Sequence, residues 1–294
     1  MSLKKVLIGM LGVPSMLLVT GPDAHADIWI GVDNSFGNAM VDLSTYFQLN
    51  YPNYLDKVHV KIAGSPTFRD EILNSGANAS IDLFVSPSSD PSDLYNKYQF
   101  DQTSLPVSPP FPIATDSVVL FSGGFLASVK GAIDVGTGFP MDQDFLMADP
   151  VKDPYGAVSA QLLSKVVPLK SRATMLSHVK TVDEIGQAYA GVAFLPDFPT
   201  VGFVAKSAVC SAGFGWEPGS YHYEFPADLR FNQIKITGVA VNKNRSKEDT
   251  AQLNAFIQFI KGKDSHTKDR ELALKGYCYM PSGSGTSGTA DAAL

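Results

Sequence analysis

From Asp27 onward, short runs of β-branched and aromatic residues alternate with runs of helical period, and this order constrains the fold most. Ile28-Trp29-Ile30-Gly31-Val32 reads as a buried strand, and Asp33-Asn34-Ser35 as a turn and cap. Between Gly37 and Asn50, Ala39, Met40, Leu43, Tyr46 and Phe47 recur at helical spacing. Val58 to Ile62 alternates as a second strand. Gly64-Ser65-Pro66-Thr67 then opens a second helix, with Ser65 as N-cap and Pro66 in the first turn. Ile81 to Val85 gives a third strand, running into Ser86-Pro87-Ser88-Ser89. A β-α-β-α-β succession predicts a parallel, doubly wound sheet and hence an α/β fold.

The Pro-rich stretch from Pro106 to Pro112 interrupts this series and reads as a crossing between two lobes. Beyond it, Val118 to Phe121 and Phe145 to Ala148 are strand-like, Gly156 to Val166 helical, and Val182 to Tyr189 a short helix. Gly191 to Leu195 and Ile234 to Val241 read as strands, and Lys247 to Lys261 as an amphipathic helix. A chain of 294 residues fits two such lobes better than one small core. The expected division is a leader over 1–26, lobe 1 over 27–112, lobe 2 over 113–228, a return to lobe 1 over 229–280, and a disordered Gly/Ser/Thr/Ala-rich tail over 281–294.

The N-terminus has the pattern of a secretory signal. Lys4 and Lys5 precede an apolar stretch from Val6 to Thr20, and Asp23-Ala24-His25-Ala26 supplies the small-x-small cleavage pattern. Cleavage after Ala26 would leave a soluble, exported protein in the periplasm. It would also move the net charge from −6 to −7, by removing Lys4, Lys5 and Asp23. Cys210 and Cys278 are the only cysteines, and in an oxidising compartment they most simply form one disulfide. The acidic balance argues against a nucleic-acid partner.

Two helix starts share one chemistry. Asn34-Ser35 and Gly64-Ser65 each place a hydroxyl beside free backbone N–H groups at the C-terminal ends of parallel strands. Such positions suit an anion held by neutral donors, and ligands of open α/β sheets bind at this edge. The acidic net charge does not conflict with that, because such a site needs no Lys or Arg.

At these residues the chain resembles the periplasmic molybdate-binding proteins of ABC importers, which have the type II solute-binding fold. The resemblance runs from about Asp27 to Tyr279. Besides Ser35 and Gly64-Ser65-Pro66-Thr67, it rests on Asn74-Ser75-Gly76-Ala77 with Ile81-Asp82-Leu83-Phe84-Val85-Ser86. It continues through Ala148-Asp149-Pro150 with Pro154-Tyr155-Gly156, His178-Val179-Lys180, Gly191-Val192-Ala193-Phe194 and Lys275-Gly276-Tyr277. The resemblance implies a two-lobed parallel-sheet protein with a hinge, closing on a small tetrahedral oxyanion such as molybdate or tungstate. A monomer working with an inner-membrane permease, and no cofactor, metal or catalysis, is then expected.

In that family two serine hydroxyls, backbone amides and a tyrosine hydroxyl surround the anion. The resemblance carries the serine roles to Ser35 and Ser65, with Asn34 beside them, and a backbone-amide position to Val179. Tyr155 stands where the family has a small alanine whose amide binds, and Phe194 where it has the tyrosine. Loss of that hydroxyl would cost roughly 1.5–3 kcal/mol, and Tyr155 is expected to offer a replacement from across the cleft. Asp33 departs further: an ionised carboxylate beside a dianion is repulsive. Either it points away to cap the helix or bond a neighbouring loop, or the solute is a different one, such as an organic acid bearing an amine or hydroxyl. The same fold retuned to another oxyanion or a small organic acid is the alternative. Asp116 raises the same question.

The remaining motifs carry less. The four histidines beyond the leader (His59, His178, His222 and His266) lack the paired spacing of a metal site. Gly136-Thr137-Gly138 lacks the context of a nucleotide loop, and Trp216, Tyr221 and Tyr223 read as a packing cluster. An exported hydrolase is the alternative of another class, but no G-x-S-x-G elbow is present.

Overall fold

A computed structural model describes residues 27–99, 106–122, 144–166, 172–195, 201–211, 215–216, 221–224 and 233–282. The leader, Gly136-Thr137-Gly138 and the tail from 283 lie outside the described residues, as do the side chains of Trp216, Tyr221, His222 and Tyr223.

The first lobe begins as the sequence predicts. Strand β1 (Ile28–Asp33), helix α1 (Gly37–Asn50), β2 (Val58–Ala63), α2 (Ser65–Ser75) and β3 (Leu83–Ser86) follow in order, then α3 (Asp90–Tyr98) and β4 (Phe111–Asp116). β1 lies between β2 and β3 and runs parallel to both. Helix α2 starts one residue earlier than a Ser65 cap implies. Gly64 is its N-cap and Ser65 its first residue, which turns the hydroxyl away from the helix and towards the sheet edge.

The passage between lobes is at Ser117, not in the proline stretch. β4 belongs to the first sheet and β5 (Val118–Ser122) to the second. Val107 bridges Val241 within the first lobe, and Pro112 lies opposite Thr237 at a bulge in the pairing. A residue with no N–H to donate is tolerated at such a ladder irregularity.

The second lobe holds β6 (Phe145–Ala148), α4 (Pro154–Val166), α5 (Arg172–Leu176), β7 (Val179–Val182), α6 (Ile185–Phe194) and β8 (Val201–Ala205). After α7 (Lys206–Val209) come short β9 (Cys210–Ser211), β10 (Gly215–Trp216) and β11 (Tyr221–Glu224). Its five-stranded sheet has the order β11-β5-β8-β6-β7, with β6 parallel to β7 and β8. The expected strand at Gly191–Leu195 is the end of helix α6. Ile185, Ala188 and Val192 are buried on one helical face against this lobe's core, and that periodicity overrides the strand preference of Val-Ala-Phe. The strand that returns to the sheet is β8.

The chain re-enters the first lobe between Glu224 and Ile234. β12 (Ile234–Ala240) inserts antiparallel between β3 and β4, helices α8 (Lys247–Ile260) and α9 (Thr267–Lys275) follow, and β13 (Met280–Pro281) closes the edge. The first sheet is therefore mixed, in the order β13-β4-β12-β3-β1-β2. Ser246 caps α8 by accepting from the Asp249 amide, and Leu253, Phe256, Ile257 and Ile260 turn one buried stripe to the sheet. There Phe256 and Phe259 pack on Phe47 of α1, with ring centroids 5.1 and 5.7 Å away. Burying each such side chain contributes about 1.5–3 kcal/mol.

Cys210 and Cys278 are joined, with their Cα atoms 5.9 Å apart across 68 residues of sequence. The disulfide ties the second lobe, through β9, to the stretch between α9 and β13 in the first.

Candidate functional site

A cleft of about 600 Å³ opens between the lobes, at the C-terminal ends of β1 and β2 on one side and of β6 and β7 on the other. Ser35, Ser65 and Asn34 all line it, as their helix starts predict. What lies between the serines is the carboxylate of Asp33. Its Oδ1 accepts from the Ser35 amide at 3.0 Å and the Ser35 hydroxyl at 2.7 Å. Its Oδ2 accepts from the Ser65 amide at 3.1 Å and the Ser65 hydroxyl at 2.5 Å. One side chain thus caps the turn that opens into α1 and also the start of α2. A carboxylate at a helix N-terminus is favourable, and this one has two.

The second lobe repeats the device. Asp153 Oδ1 accepts from the amides of Tyr155 at 2.7 Å and Gly156 at 3.3 Å, at the start of α4. Its Oδ2 accepts from the Ile185 amide at 2.9 Å, at the start of α6. A Cβ on Gly156 would stand 2.5 Å from the carbonyl oxygens of Ala148 and Asp149, so only glycine lets this helix start so close to β6. Burial is the main force pushing the Asp153 carboxyl up to about 6; its three amide donors oppose the shift, and the Asp33 charge adds to it.

Contacts also cross the cleft. Asn34 Nδ2 donates to Glu184 Oε2 at 3.1 Å, and Glu184 Oε1 lies 3.2 Å from where a Cβ on Gly64 would stand. Behind Ser65 a line of hydroxyls runs through Ser86 and Ser88 to Asp90, with oxygen spacings of 2.6, 2.7 and 3.0 Å.

Three expected site residues are placed differently. The Tyr155 amide donates to Asp153, and the residue is not among those lining the cleft; its side chain is fully buried and its hydroxyl donates to Asp116 Oδ2 at 2.9 Å. The phenol is taken by an interior carboxylate that needs donors, so it does not stand in for the missing tyrosine hydroxyl. Val179 begins β7, at the end of the strand away from the cleft, where it pairs with Phe145. The amide that this part of the chain delivers to the cleft belongs to Ile185. Phe194 ends α6 with 69% of its surface exposed, packed edge-on against Tyr189 and outside the cleft lining.

Asp153 and Glu184 were not singled out in the sequence. The signal for Asp153 is there in Asp153-Pro154, the same cap-then-proline pattern as a helix start elsewhere in the chain.

Beneath the cleft, Asp116 ends β4 at the passage between lobes. It accepts from the Ser207 hydroxyl at 2.6 Å, from the Tyr155 hydroxyl and from the Ser117 amide at 2.7 Å. Tyr279 lies close by, with its hydroxyl donating to the Ser35 carbonyl at 2.7 Å. Desolvation outweighs the Asp116 donors and raises its carboxyl from 3.8 to about 6. Between these values the folded protein holds the proton more tightly than the unfolded chain. The associated stability is present below pH 3.8 and is lost as pH rises through about 6. The loss amounts to up to about 3 kcal/mol. Melting temperature is therefore expected to fall between pH 4.5 and 7, and Asp116→Asn to reduce that slope, the share from Asp153 remaining. An equal slope in the variant would remove Asp116 as its origin.

Comparison with known proteins gives no matching protein-family model and no matching curated protein. Solved structures do match. The periplasmic molybdate-binding protein of Azotobacter vinelandii superposes with a TM-score of 0.63 at 20% identity, covering 86% of this chain and 99% of that one. PEB3 bound to L-phospholactate gives 0.57 at 12%, covering 86% and 99%. Iron-bound HitA from Pseudomonas aeruginosa gives 0.56 at 14%, covering 92% and 90%. The chain has the two-lobed type II periplasmic-binding-protein fold, two α/β lobes joined at a hinge. These neighbours are solute-binding proteins, and the solutes in their names differ: molybdate, L-phospholactate and iron.

Proposed function

We propose that this protein is the solute-binding component of an ABC importer, exported to the periplasm by the leader over 1–26, and that its lobes close by a hinge motion on a small solute. The observation that carries this reading is the interlobe cleft, where helix starts from both lobes converge. The closed form would present a composite surface to the permease, and a monomer suffices for that.

Molybdate or tungstate is the solute that the sequence resemblance implies, with Ser35 and Ser65 as donors. Asp33 holds those donors in this conformation, which favours the same fold retuned to another solute. The hydrolase reading has little support. The Ser35 and Ser65 hydroxyls donate to a carboxylate, and no histidine is among the described residues that line the cleft.

Thermal shift and small-angle scattering test the reading together. A solute at 100 times its dissociation constant is expected to stabilise the protein by about 2.7 kcal/mol and to reduce its radius of gyration. Turnover of an ester or phosphate substrate, without compaction by any member of a broad solute panel, would overturn it.

A further inference from the structure

We infer that Asp33 is a built-in anion that fills the oxyanion position of the cleft, so that the site rejects free oxyanions and takes a solute bearing an ammonium or guanidinium group. The inference rests on the solute-binding reading above and specifies its ligand class.

The first ground is donor accounting. A carboxylate offers about four acceptor directions, and all four on Asp33 are used, by the amides and hydroxyls of Ser35 and Ser65. The same two residues are the neutral donors that the first lobe would present to a tetrahedral oxyanion. On the facing lobe the amides of Tyr155, Gly156 and Ile185 are held by Asp153. A free oxyanion would have to displace both carboxylates and then sit beside them, with like charges in a partly desolvated cleft.

The second ground is charge. The lining carries Asp33, Asp90, Asp153, Asp183 and Glu184 against Arg69 and Lys152. Both cations are already matched: Arg69 lies 2.9 Å from Asp70 and 3.2 Å from Asp90, and Lys152 lies 2.6 Å from Asp183. Asp33, Asp153 and Glu184 have no cationic partner among the described residues. Two of them still present acceptors. Asp153 Oδ2 takes one amide, and Glu184 Oε1 faces the Cα of Gly64 while Oε2 takes Asn34. These oxygens come from neighbouring points of the second lobe, because the amide on Asp153 Oδ2 is that of the residue after Glu184. A cationic N–H group between the lobes would bond to them and relieve the repulsion between Asp33 and Asp153. The cleft's 600 Å³ leaves room for the rest of an organic cation.

The test is calorimetry on residues 27–294 at low ionic strength, with sodium molybdate, sodium sulfate, L-arginine and putrescine as probes. Wild type, Asp33→Ala and Asp33→Asn are compared, the last keeping a side-chain acceptor for the helix starts if Asp33→Ala does not fold. Wild type is expected to bind arginine or putrescine and to ignore millimolar molybdate and sulfate. Removing the charge is expected to improve molybdate binding by about 100-fold, one to two charge-assisted bonds regained, and to weaken the cationic probes. Wild type binding molybdate with an affinity unchanged in the variants would overturn the inference and leave the solute-binding reading standing. If no probe binds any folded variant, the inference also falls; the solute-binding reading falls with it only if no solute in the broader panel compacts the protein.

Discussion

Replacing Asp82 by alanine is expected to lower the unfolding free energy by about 3–5 kcal/mol. Asp82 stands just before β3 at 8% exposure and joins three parts of the first lobe. Its Oδ2 accepts from the Trp29 amide at 2.9 Å, and its Oδ1 meets Arg245 Nη2 at 2.8 Å and Lys243 Nζ at 3.0 Å. The two cations are themselves only 13% and 17% exposed, so alanine would leave both largely buried without a carboxylate partner. Desolvation raises the Asp82 carboxyl, but the Trp29 amide and the two cations together hold it below 3.8. Its contribution is present above that value and is lost as pH falls through the lowered one. Combined with Asp116, whose contribution is lost in the opposite direction, this places maximal stability in mildly acid solution. Urea unfolding at pH 5.5 checks the prediction. Asp82→Asn, which can still accept from Trp29, should lose less than Asp82→Ala, and an alanine variant within 1 kcal/mol of wild type (about the net value of a single hydrogen bond) would refute it.

The second large effect is expected from the disulfide. Converting both Cys210 and Cys278 to serine should lower stability by roughly 4 kcal/mol, the chain-entropy value for a loop of 68 residues. The double variant avoids the stray thiol of either single one. Because the bond ties β9 of the second lobe to the approach to β13 in the first, it is a covalent link additional to the chain passages at Ser117 and between Glu224 and Ile234. The same variant should therefore also show a wider spread of interlobe distances, read by spin labels on the two lobes. Unchanged urea midpoints with and without reductant would show that the link contributes nothing.

The first lobe was legible because its strands and helices are short, separate and well punctuated. Cap signals at Asn34-Ser35 and Gly64-Ser65 put all three of the cleft's expected lobe-1 residues at helix starts, and the structure keeps them there. The second lobe was less legible where two periodicities compete. Gly191-Val192-Ala193-Phe194 has strand composition, yet Ile185, Ala188 and Val192 set a helical face, and burial decides between them. That one exchange moved Phe194 out of the cleft and hid β8. Asp33 shows a different limit. Its capping of the nearest helix was foreseeable from local sequence. Its reach to Ser65, 32 residues away, follows only from β1 and β2 lying side by side.

The hydrogen bond from Asn34 to Glu184 has a consequence for how often the empty protein looks full. It joins the lobes directly, side chain to side chain, and so needs no solute to form; an exposed bond of this kind is worth about 0.5–1.5 kcal/mol. That biases the open–closed equilibrium of the empty protein by roughly two- to tenfold towards closure. A solute then has less reorganisation to drive, which tightens its apparent affinity. The contrast between loaded and unloaded molecules shrinks by the same factor, so a permease that recognised closure alone would be misled more often. Cutting the bond, by Asn34→Ala, trades affinity for a cleaner signal.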